Sequence, residues 1–311
     1  MTRQFVSPFK ALLCVSASVA LVLTGSSVAV AQPTEAISTT AEPTVDGANN
    51  WECVPSPEHP RPVVLVHGTG MDVTAWTVLA PQLTELGYCV FALNYGAVPR
   101  ILDPSQVIWG TAEMELSSKE LAAFVQRVLD ATGATQVDLV GHSQGGTLAR
   151  QYLKFDGGAD PGNPEANKVH SVVTLGATNH GTTFNGLQQL TAELDSLGIP
   201  VSLVIPLQMG PAGAQQLIGS PILTSLNAGS EVMPGVDYTI VATKFDRVST
   251  PPEATFLQSD GSATVHNQWV QDLCPAAQTA HDKLLVDEAS LYLVKSALDP
   301  SYAANNPVDC G

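Results

Sequence analysis

Hydrophobic residues follow two alternating patterns along most of this chain. Short, mostly apolar runs rich in Val, Ile and Leu predict β-strands at residues 62–66, 88–93, 136–140, 169–175 and 236–242. Longer segments with apolar residues three or four positions apart predict helices at residues 76–86, 113–131 and 146–155. The second helix is expected to bury a face made of Leu116, Leu121, Phe124, Val125, Val128 and Leu129. Strands alternating with helices are typical of an α/β fold with a mainly parallel sheet flanked by helices.

One long segment interrupts this alternation. No clear strand lies between residues 175 and 236, and from 184 to 229 the only charged residues are Glu193 and Asp195. A pair of ordinary core helices is one interpretation. The other is a cap over a pocket that receives an apolar ligand, and the near absence of charge favours it. We therefore expect an apolar cap, or lid, at about residues 184–229.

The first 31 residues have the pattern of a secretory signal peptide. Arg3 and Lys10 precede an apolar run at residues 11–23, and Ala29 and Ala31 provide the small residues of a cleavage site. A membrane anchor is the alternative, but the run is shorter than the ~20 residues that a spanning helix needs. Removal of residues 1–31 would leave a secreted, extracellular protein.

The composition changes again after the cleavage site. Residues 32–50 are rich in Pro, Thr, Ala and Glu and predict a flexible linker, whereas residues 51–311 have the composition of one globular domain. The 311 residues include 13 basic and 29 acidic ones, for a net charge of −16. Cleavage removes two basic residues and no acidic one, which leaves 11 basic, 29 acidic and a net charge of −18. Phosphate binding needs clustered Lys and Arg, so this acidity excludes nucleic acid as a partner.

Four cysteines remain after cleavage: Cys53, Cys89, Cys274 and Cys310. An even number in an exported protein indicates two disulfides rather than four free thiols, and three connectivities are possible. We favour Cys53–Cys89, because this pair flanks two strands expected to be neighbours. The remaining pair, Cys274–Cys310, would tie down the C-terminal tail.

The clearest chemical motif is Gly-His-Ser-Gln-Gly at residues 141–145. It follows a predicted strand and opens a predicted helix, which is the context that a G-x-S-x-G nucleophile turn requires. Gly141 and Gly145 are small enough to allow the sharp turn. Ser143 would then stand at the C-terminal edge of the sheet, near a helix N-terminus that favours developing negative charge. The motif predicts Ser143 as a nucleophile.

A serine hydroxyl is a weak nucleophile and needs a base, which in such sites follows both the serine and the acid along the chain. This order leaves His266 and His281. His266 lies in a strand-like run at residues 264–273, where a side chain is more often structural. His281 lies in a loop beyond the last strand and is the favoured base.

The acid that orients the base is expected directly after the strand at residues 236–242. Asp246 lies just past the end of that strand. Asp237 comes at its start, and Asp260 and Asp272 come later in the chain. Position therefore favours Asp246.

Acyl transfer also needs hydrogen-bond donors for an oxyanion. One is expected from the backbone N–H of Gln144, the residue after the nucleophile. The other is expected from Thr69, in the loop after the first strand, with help from its hydroxyl. The sequence has no H-E-x-x-H, no C-x-x-C, no EF-hand loop and no P-loop lysine, so no metal and no cofactor are expected.

Six segments together resemble the secreted bacterial class 2 triacylglycerol lipases. They are PVVLVHGTG from Pro62, GYCVFALNYG from Gly87, VDLVGHSQGG from Val137, NHGTT from Asn179, GVDYTIVATKFD from Gly235 and LCP from Leu273. A weaker similarity extends to yeast lipase B. The resemblance implies an α/β-hydrolase fold and metal-independent carboxylester hydrolysis, with Ser143, Asp246 and His281 as the triad and Thr69 and Gln144 as oxyanion donors. One departure is that residues 208–213 have no cysteine, whereas many family members have cysteines in the cap.

Together these patterns predict a secreted serine carboxylester hydrolase, and a triacylglycerol lipase above other ester hydrolases. The expected partner is a lipid or other ester, with transient contact with a lipid interface and a monomeric enzyme. An esterase for short-chain or polymeric esters is the alternative within the same chemistry. A non-catalytic binding module on the same scaffold is a third hypothesis, which the complete triad disfavours because a binding module needs neither Ser143 nor His281.

Overall fold

A computed structural model describes residues 42–100, 103–196, 204–308 and 310. The expected signal peptide at residues 1–31 lies outside these ranges. Among the described residues, no helix is long and apolar enough to cross a membrane.

Six parallel strands form the central sheet of the described chain. The described chain has eight strands in all: β1 (Val63–Val66), β2 (Val90–Leu93), β3 (Val98–Pro99), β4 (Val107–Ile108), β5 (Val137–His142), β6 (Val169–Leu175), β7 (Asp237–Ala242) and β8 (Val265–Trp269). The sheet order is β2-β1-β5-β6-β7-β8, and β3 and β4 form a separate antiparallel pair. Because all six strands run the same way, the loops that follow them meet at one edge of the sheet.

Helices cover both faces of this sheet. The helices of the described chain are α1 (Leu79–Glu85), α2 (Met114–Thr132), α3 (Gln144–Phe155), α4 (Leu187–Ser196), α5 (Val204–Gln215), α6 (Pro221–Asn227), α7 (Val270–Leu273), α8 (Glu288–Leu298) and α9 (Pro300–Asn305). The prediction of an α/β fold with a mainly parallel sheet is confirmed. Most bounds lie within one or two residues of the sequence pattern. The larger differences are that Trp76 belongs to a short 3-10 helix before α1, and that the strand-like run at 264–273 turns into α7 after Trp269.

Successive side chains of β1 point to opposite faces of the sheet and so belong to two different hydrophobic cores. Val64 and Val66 point to the face that α2 and α3 cover, whereas Val63 and Leu65 point to the face that α1 and α8 cover. All four side chains are fully buried. A strand between two helical layers is apolar at every position, which explains its continuous hydrophobic run.

The buried face of helix α2 differs from the predicted one at its N-terminal end. Leu116 is 53% exposed, whereas Ser117 and Ser118, one and two positions later, are buried. The Ser118 hydroxyl donates to Asp156 Oδ2 at 2.6 Å, so a hydrogen bond compensates for the burial of this polar group. The buried face of the helix begins with Met114 rather than Leu116.

Both favoured disulfides are present. Cys53–Cys89 ties the segment before β1 to the residue that precedes β2, and Cys274–Cys310 joins the end of α7 to the C-terminal tail. The strands β1 and β2 are neighbours in the sheet, paired from Val63↔Val90, as the choice of the first disulfide assumed.

The C-terminal part of the expected flexible linker, residues 42–50, contacts the domain. The Asn49 side chain pairs with Ala92 of β2: it donates to the Ala92 carbonyl at 2.8 Å and accepts from the Ala92 N–H at 2.9 Å. Val45 is buried in the core of the α1 and α8 face. An edge strand exposes unpaired backbone groups, and Asn49 satisfies those of Ala92. The prediction is therefore wrong for residues 42–50, and residues 32–41 lie outside the described chain.

The segment expected to form a cap contains helices α4, α5 and α6, with residues 197–203 outside the described chain. Helix α6 buries Ile222, Leu223 and Leu226 in the same core as α2 and α3. Its C-terminal end is held by Lys154 of α3, whose ammonium donates to the carbonyls of Leu226 and Ala228 at 2.8 and 2.7 Å. This end of the segment is therefore part of the domain core.

Candidate active site

Ser143 occupies a sharp turn between β5 and α3. Its backbone is at φ 53° and ψ −126°, an unusual conformation for a residue with a side chain. Two hydrogen bonds fix it, from its own N–H to the Leu175 carbonyl at 2.8 Å and from the Gly146 N–H to its carbonyl at 3.1 Å. A Cβ at Gly145 would lie 2.1 Å from the Val66 carbonyl oxygen. The turn therefore requires glycine at position 145, as the sequence motif indicates.

Asp246 and His281, which are 35 residues apart in the chain, form a hydrogen bond. His281 Nδ1 donates to Asp246 Oδ2 at 2.7 Å, and both side chains are buried. The other carboxylate oxygen, Oδ1, accepts from the N–H groups of Val248 and Ser249 at 2.8 Å each. These bonds fix the carboxylate and leave Nε2 of the imidazole as the nitrogen that can accept a proton.

The His281 ring lies beside the nucleophile turn. It packs 4.8 Å from the ring of His142, the residue before Ser143, and His142 Nε2 donates to the His281 carbonyl at 3.1 Å. Neither Ser143 Oγ nor His281 Nε2 has a hydrogen-bond partner within the described chain. Both reactive atoms are therefore free to engage each other or a substrate.

The alternative acid and base residues lie away from this pair. His266 is exposed on β8, paired in register with Thr239 of β7. Asp237 and Asp260 are exposed, and the exposed Asp272 contacts Lys244 Nζ at 3.4 Å. The fold thus brings Asp246 and His281 to the turn of Ser143 and leaves the other four residues at the surface.

At this edge the backbone N–H groups of Thr69 and Gln144 have no acceptor within the described chain. Gln144 is the first residue of α3, and the first N–H groups of a helix have no intrahelical acceptor. The loop of Thr69 is held by the Gly70 N–H, which donates to the Trp109 carbonyl at 3.0 Å. The Thr69 hydroxyl donates to Gln144 Oε1 at 2.5 Å, so the side chains of the two expected donors are joined.

Two further histidines of this region are buried and neutral. Burial lowers the pKa of His67 to about 4, although the bond between its Nδ1 and the Gly68 carbonyl opposes the shift. Burial, and the proximity of His281, lower the pKa of His142 to about 3. The His67 ring stacks on Tyr95 at 4.3 Å and packs the loop that carries Thr69. At neutral pH neither ring adds a positive charge beside His281.

Sequence reasoning missed two residues of this site. A Cβ at Gly176, the residue after β6, would lie 3.1 Å from His281 Nδ1 and 3.2 Å from Asp246 Oδ2, so the pair needs a glycine there. Gln216, which follows α5, donates through Nε2 to Thr69 Oγ1 at 2.8 Å. The position of Gly176 at the end of a central strand is a signal that could have identified it. The Gln216 contact spans 147 residues, and no local pattern indicates it.

The described residues contain no group of three or more His, Cys, Asp or Glu side chains that could hold a metal ion. The edge of the sheet holds a strained serine, an imidazole bonded to a carboxylate and the unpaired N–H groups of Thr69 and Gln144. Groups of these kinds can together perform acyl transfer.

The six-stranded parallel sheet flanked by helices is the architecture of an α/β-hydrolase. The model of the class 2 lipase family matches residues 60–290, and the chain belongs to that family. A triacylglycerol lipase of Pseudarthrobacter phenanthrenivorans is 32% identical over 149 residues, which cover 46% of this chain. The alignment spans only 41% of that relative's length.

Two solved structures show the same fold. Aspergillus fumigatus lipase B matches 80% of this chain and 57% of its own, with 18% identity and a TM-score of 0.56. A Bacillus licheniformis lipase in its mature form matches 80% of this chain and 94% of its own, with 18% identity and a TM-score of 0.52. These likenesses confirm the α/β-hydrolase fold.

Proposed function

We propose that this protein is a serine carboxylester hydrolase that acts on triacylglycerols. One observation carries the proposal: the 2.7 Å bond between Asp246 Oδ2 and His281 Nδ1, made beside the strained turn of Ser143. Family membership and the triacylglycerol lipase relative support the same chemistry.

In the proposed mechanism, Ser143 Oγ attacks the ester carbonyl while His281 Nε2 takes its proton. The imidazolium that forms is stabilised by Asp246, which remains ionised. The N–H groups of Thr69 and Gln144 donate to the oxyanion, and each such donor contributes about 3 kcal/mol to transition-state stabilisation in comparable sites. His281 then protonates the leaving alcohol, and water hydrolyses the acyl-enzyme by the same route in reverse.

The apolar segment at residues 184–229 supports a lipid substrate. Leu190 of α4 is 52% exposed and Ile218, after α5, is 41% exposed. We propose that the described residues of this segment before α6 line the acyl site and that these two side chains contact the lipid interface.

Export is also part of the proposal. The signal-peptide pattern at residues 1–31 and the two disulfides fit an oxidising, extracellular location, because disulfides are rare in the reducing cytosol. The catalytic domain would then be the chain from residue 51 together with the packed residues 42–50.

The chain-length profile of hydrolysis tests the substrate class. Each methylene buried in an acyl pocket contributes about 0.8 kcal/mol, so kcat/KM should rise about fourfold per added carbon until the pocket is filled. We expect the rate on p-nitrophenyl esters to be maintained at long acyl chains, and emulsified triacylglycerols to be hydrolysed. The Ser143→Ala variant measures the background rate.

A pocket that holds only about six acyl carbons gains about 5 kcal/mol from methylene burial. If the rate falls sharply for acyl chains longer than this, the protein is instead an esterase for short or polymeric esters. No hydrolysis above the Ser143→Ala background for any ester would contradict the enzymatic function.

A further inference from the structure

Gln216 joins the two residues that the proposed mechanism uses as oxyanion donors. Its side chain is buried, with only 1% of the residue exposed. Nε2 donates to Thr69 Oγ1 at 2.8 Å and, at the longer distance of 3.4 Å, to Gln144 Oε1. The Thr69 hydroxyl in turn donates to Gln144 Oε1 at 2.5 Å. The three side chains form a closed hydrogen-bonded triangle at the site.

The surroundings of Gln216 determine which end of its amide faces Thr69. Thr178 Oγ1 donates to Gln216 Oε1 at 3.1 Å, and the Ala212 carbonyl accepts from Nε2 at 3.1 Å. A flipped amide would place Oε1 against the Ala212 carbonyl oxygen, and two acceptors repel each other. The NH₂ group of Gln216 therefore faces Thr69.

This orientation controls the direction of the Thr69 hydroxyl proton. Because Gln216 donates to Oγ1, the hydroxyl must point its own proton at a different acceptor. In the free protein that acceptor is Gln144 Oε1. A hydroxyl that accepts a hydrogen bond also becomes a stronger donor, since neighbouring bonds polarise one another.

We propose that Gln216 is a positioning residue for ester hydrolysis. It fixes the Thr69 loop beside Gln144 and leaves the Thr69 hydroxyl proton free to turn to the oxyanion as charge develops on the substrate. Gln216 does not touch the substrate; it acts through Thr69. The inference rests on the proposed function, because it assigns a role to Gln216 in that reaction alone.

The backbone of Gln216 is anchored independently of its side-chain amide. Its carbonyl accepts from the Thr182 N–H at 2.8 Å. The preceding residue, Gln215, accepts from the Met114 N–H and donates to Glu115 Oε2, both at 2.7 Å, and so ties the end of α5 to the start of α2. A Gln216→Met substitution should therefore remove the bond to Thr69 and leave the segment in place. Gln215→Met is a matched control, since it loses two hydrogen bonds of the same segment but none to Thr69.

A double-mutant cycle between Gln216 and Thr69 tests the inference. Thr69→Val removes the hydroxyl and keeps the backbone N–H. We expect Gln216→Met to lower kcat on a soluble p-nitrophenyl butyrate substrate by about tenfold, with KM changed less than about twofold, because the loss falls on the transition state. In the Thr69→Val background the Gln216→Met substitution should lower kcat by less than about twofold, because the hydroxyl that Gln216 contacts is already absent. Gln215→Met should keep kcat within about twofold of the wild type.

A second variant reverses the direction of the hydrogen bond between residue 216 and the Thr69 hydroxyl instead of removing it. In Gln216→Glu, assayed at a pH high enough to ionise the buried carboxyl, the carboxylate accepts the Thr69 proton and places a negative charge beside the oxyanion donors, so kcat should fall by about a hundredfold. The rate of inactivation by a p-nitrophenyl phosphonate, whose adduct has the tetrahedral geometry, should fall in the same order across the variants. Circular dichroism and the urea midpoint identify any variant that has lost its fold.

Two results would overturn the role of Gln216 alone: full kcat in folded Gln216→Met or Gln216→Glu, or an equal penalty in the wild-type and Thr69→Val backgrounds. If both Gln216 variants fail to fold while Gln215→Met folds, the residue is structural and the inference fails as well. A wild-type protein that neither hydrolyses the ester nor reacts with the phosphonate overturns the proposed function, and this inference with it.

Discussion

Replacing His281 with alanine is expected to lower kcat for ester hydrolysis by about a million-fold, the scale seen when a triad base is removed from a serine hydrolase. The Ser143 hydroxyl then has no group to take its proton. What remains is substrate binding and stabilisation by the N–H groups of Thr69 and Gln144. Initial rates on p-nitrophenyl butyrate at saturating substrate measure the loss.

His266→Ala is the matched control for this prediction. His266 also follows Asp246 in the chain and is the other candidate base, but it is exposed on β8. It should retain kcat within about twofold, as expected for a surface substitution away from the site. A large loss in His266→Ala together with an active His281→Ala would reverse the assignment of the base.

Replacing Asp246 with asparagine is expected to lower kcat by about ten thousandfold, through the wrong tautomer of His281. The reason lies in the two N–H groups of Val248 and Ser249 that donate to Oδ1. They hold the amide oxygen of the asparagine at that position, so its NH₂ group faces His281 Nδ1. The imidazole must then accept at Nδ1 and carry its proton at Nε2, where it cannot receive the proton of Ser143.

The Asp272→Asn variant provides the comparison, because Asp272 is an exposed acid that contacts only Lys244 within the described chain. Its kcat should stay within about twofold of the wild type. Urea unfolding of Asp246→Asn verifies that the variant is folded. A folded Asp246→Asn enzyme with full kcat at neutral pH would show that His281 does not depend on this carboxylate.

Local sequence patterns predicted the framework of the fold and the position of the strained turn at Ser143. The strands come from β-branched runs, and β6 has the predicted bounds, Val169–Leu175. The turn at Ser143 could be identified because its glycines are required by contacts with the adjacent chain, such as that of Gly145 with Val66. Chain order, together with position relative to the predicted strands, separated Asp246 and His281 from the surface residues of the same types, and the fold brings those two together.

Other features depend on contacts between distant parts of the chain, and no local pattern encodes them. Leu116 belongs to an apolar pattern but is exposed, because the neighbouring helices cover the Ser117 and Ser118 side of α2. Residues 42–50 have the composition of a linker, yet Asn49 pairs with the exposed edge of β2. Gln216 lies in the predicted cap, where glutamine carries no specific signal, and only the fold places it against Thr69.

Covalent labelling of Ser143 tests the central claim most directly. The folded wild-type protein is incubated with a p-nitrophenyl phosphonate, and the adduct is located by peptide mass spectrometry. The proposed mechanism predicts one phosphonate per chain, bound to Ser143 Oγ, and no labelling in Ser143→Ala or His281→Ala. Folded wild-type protein that remains unlabelled, or is labelled at a different residue, would contradict it.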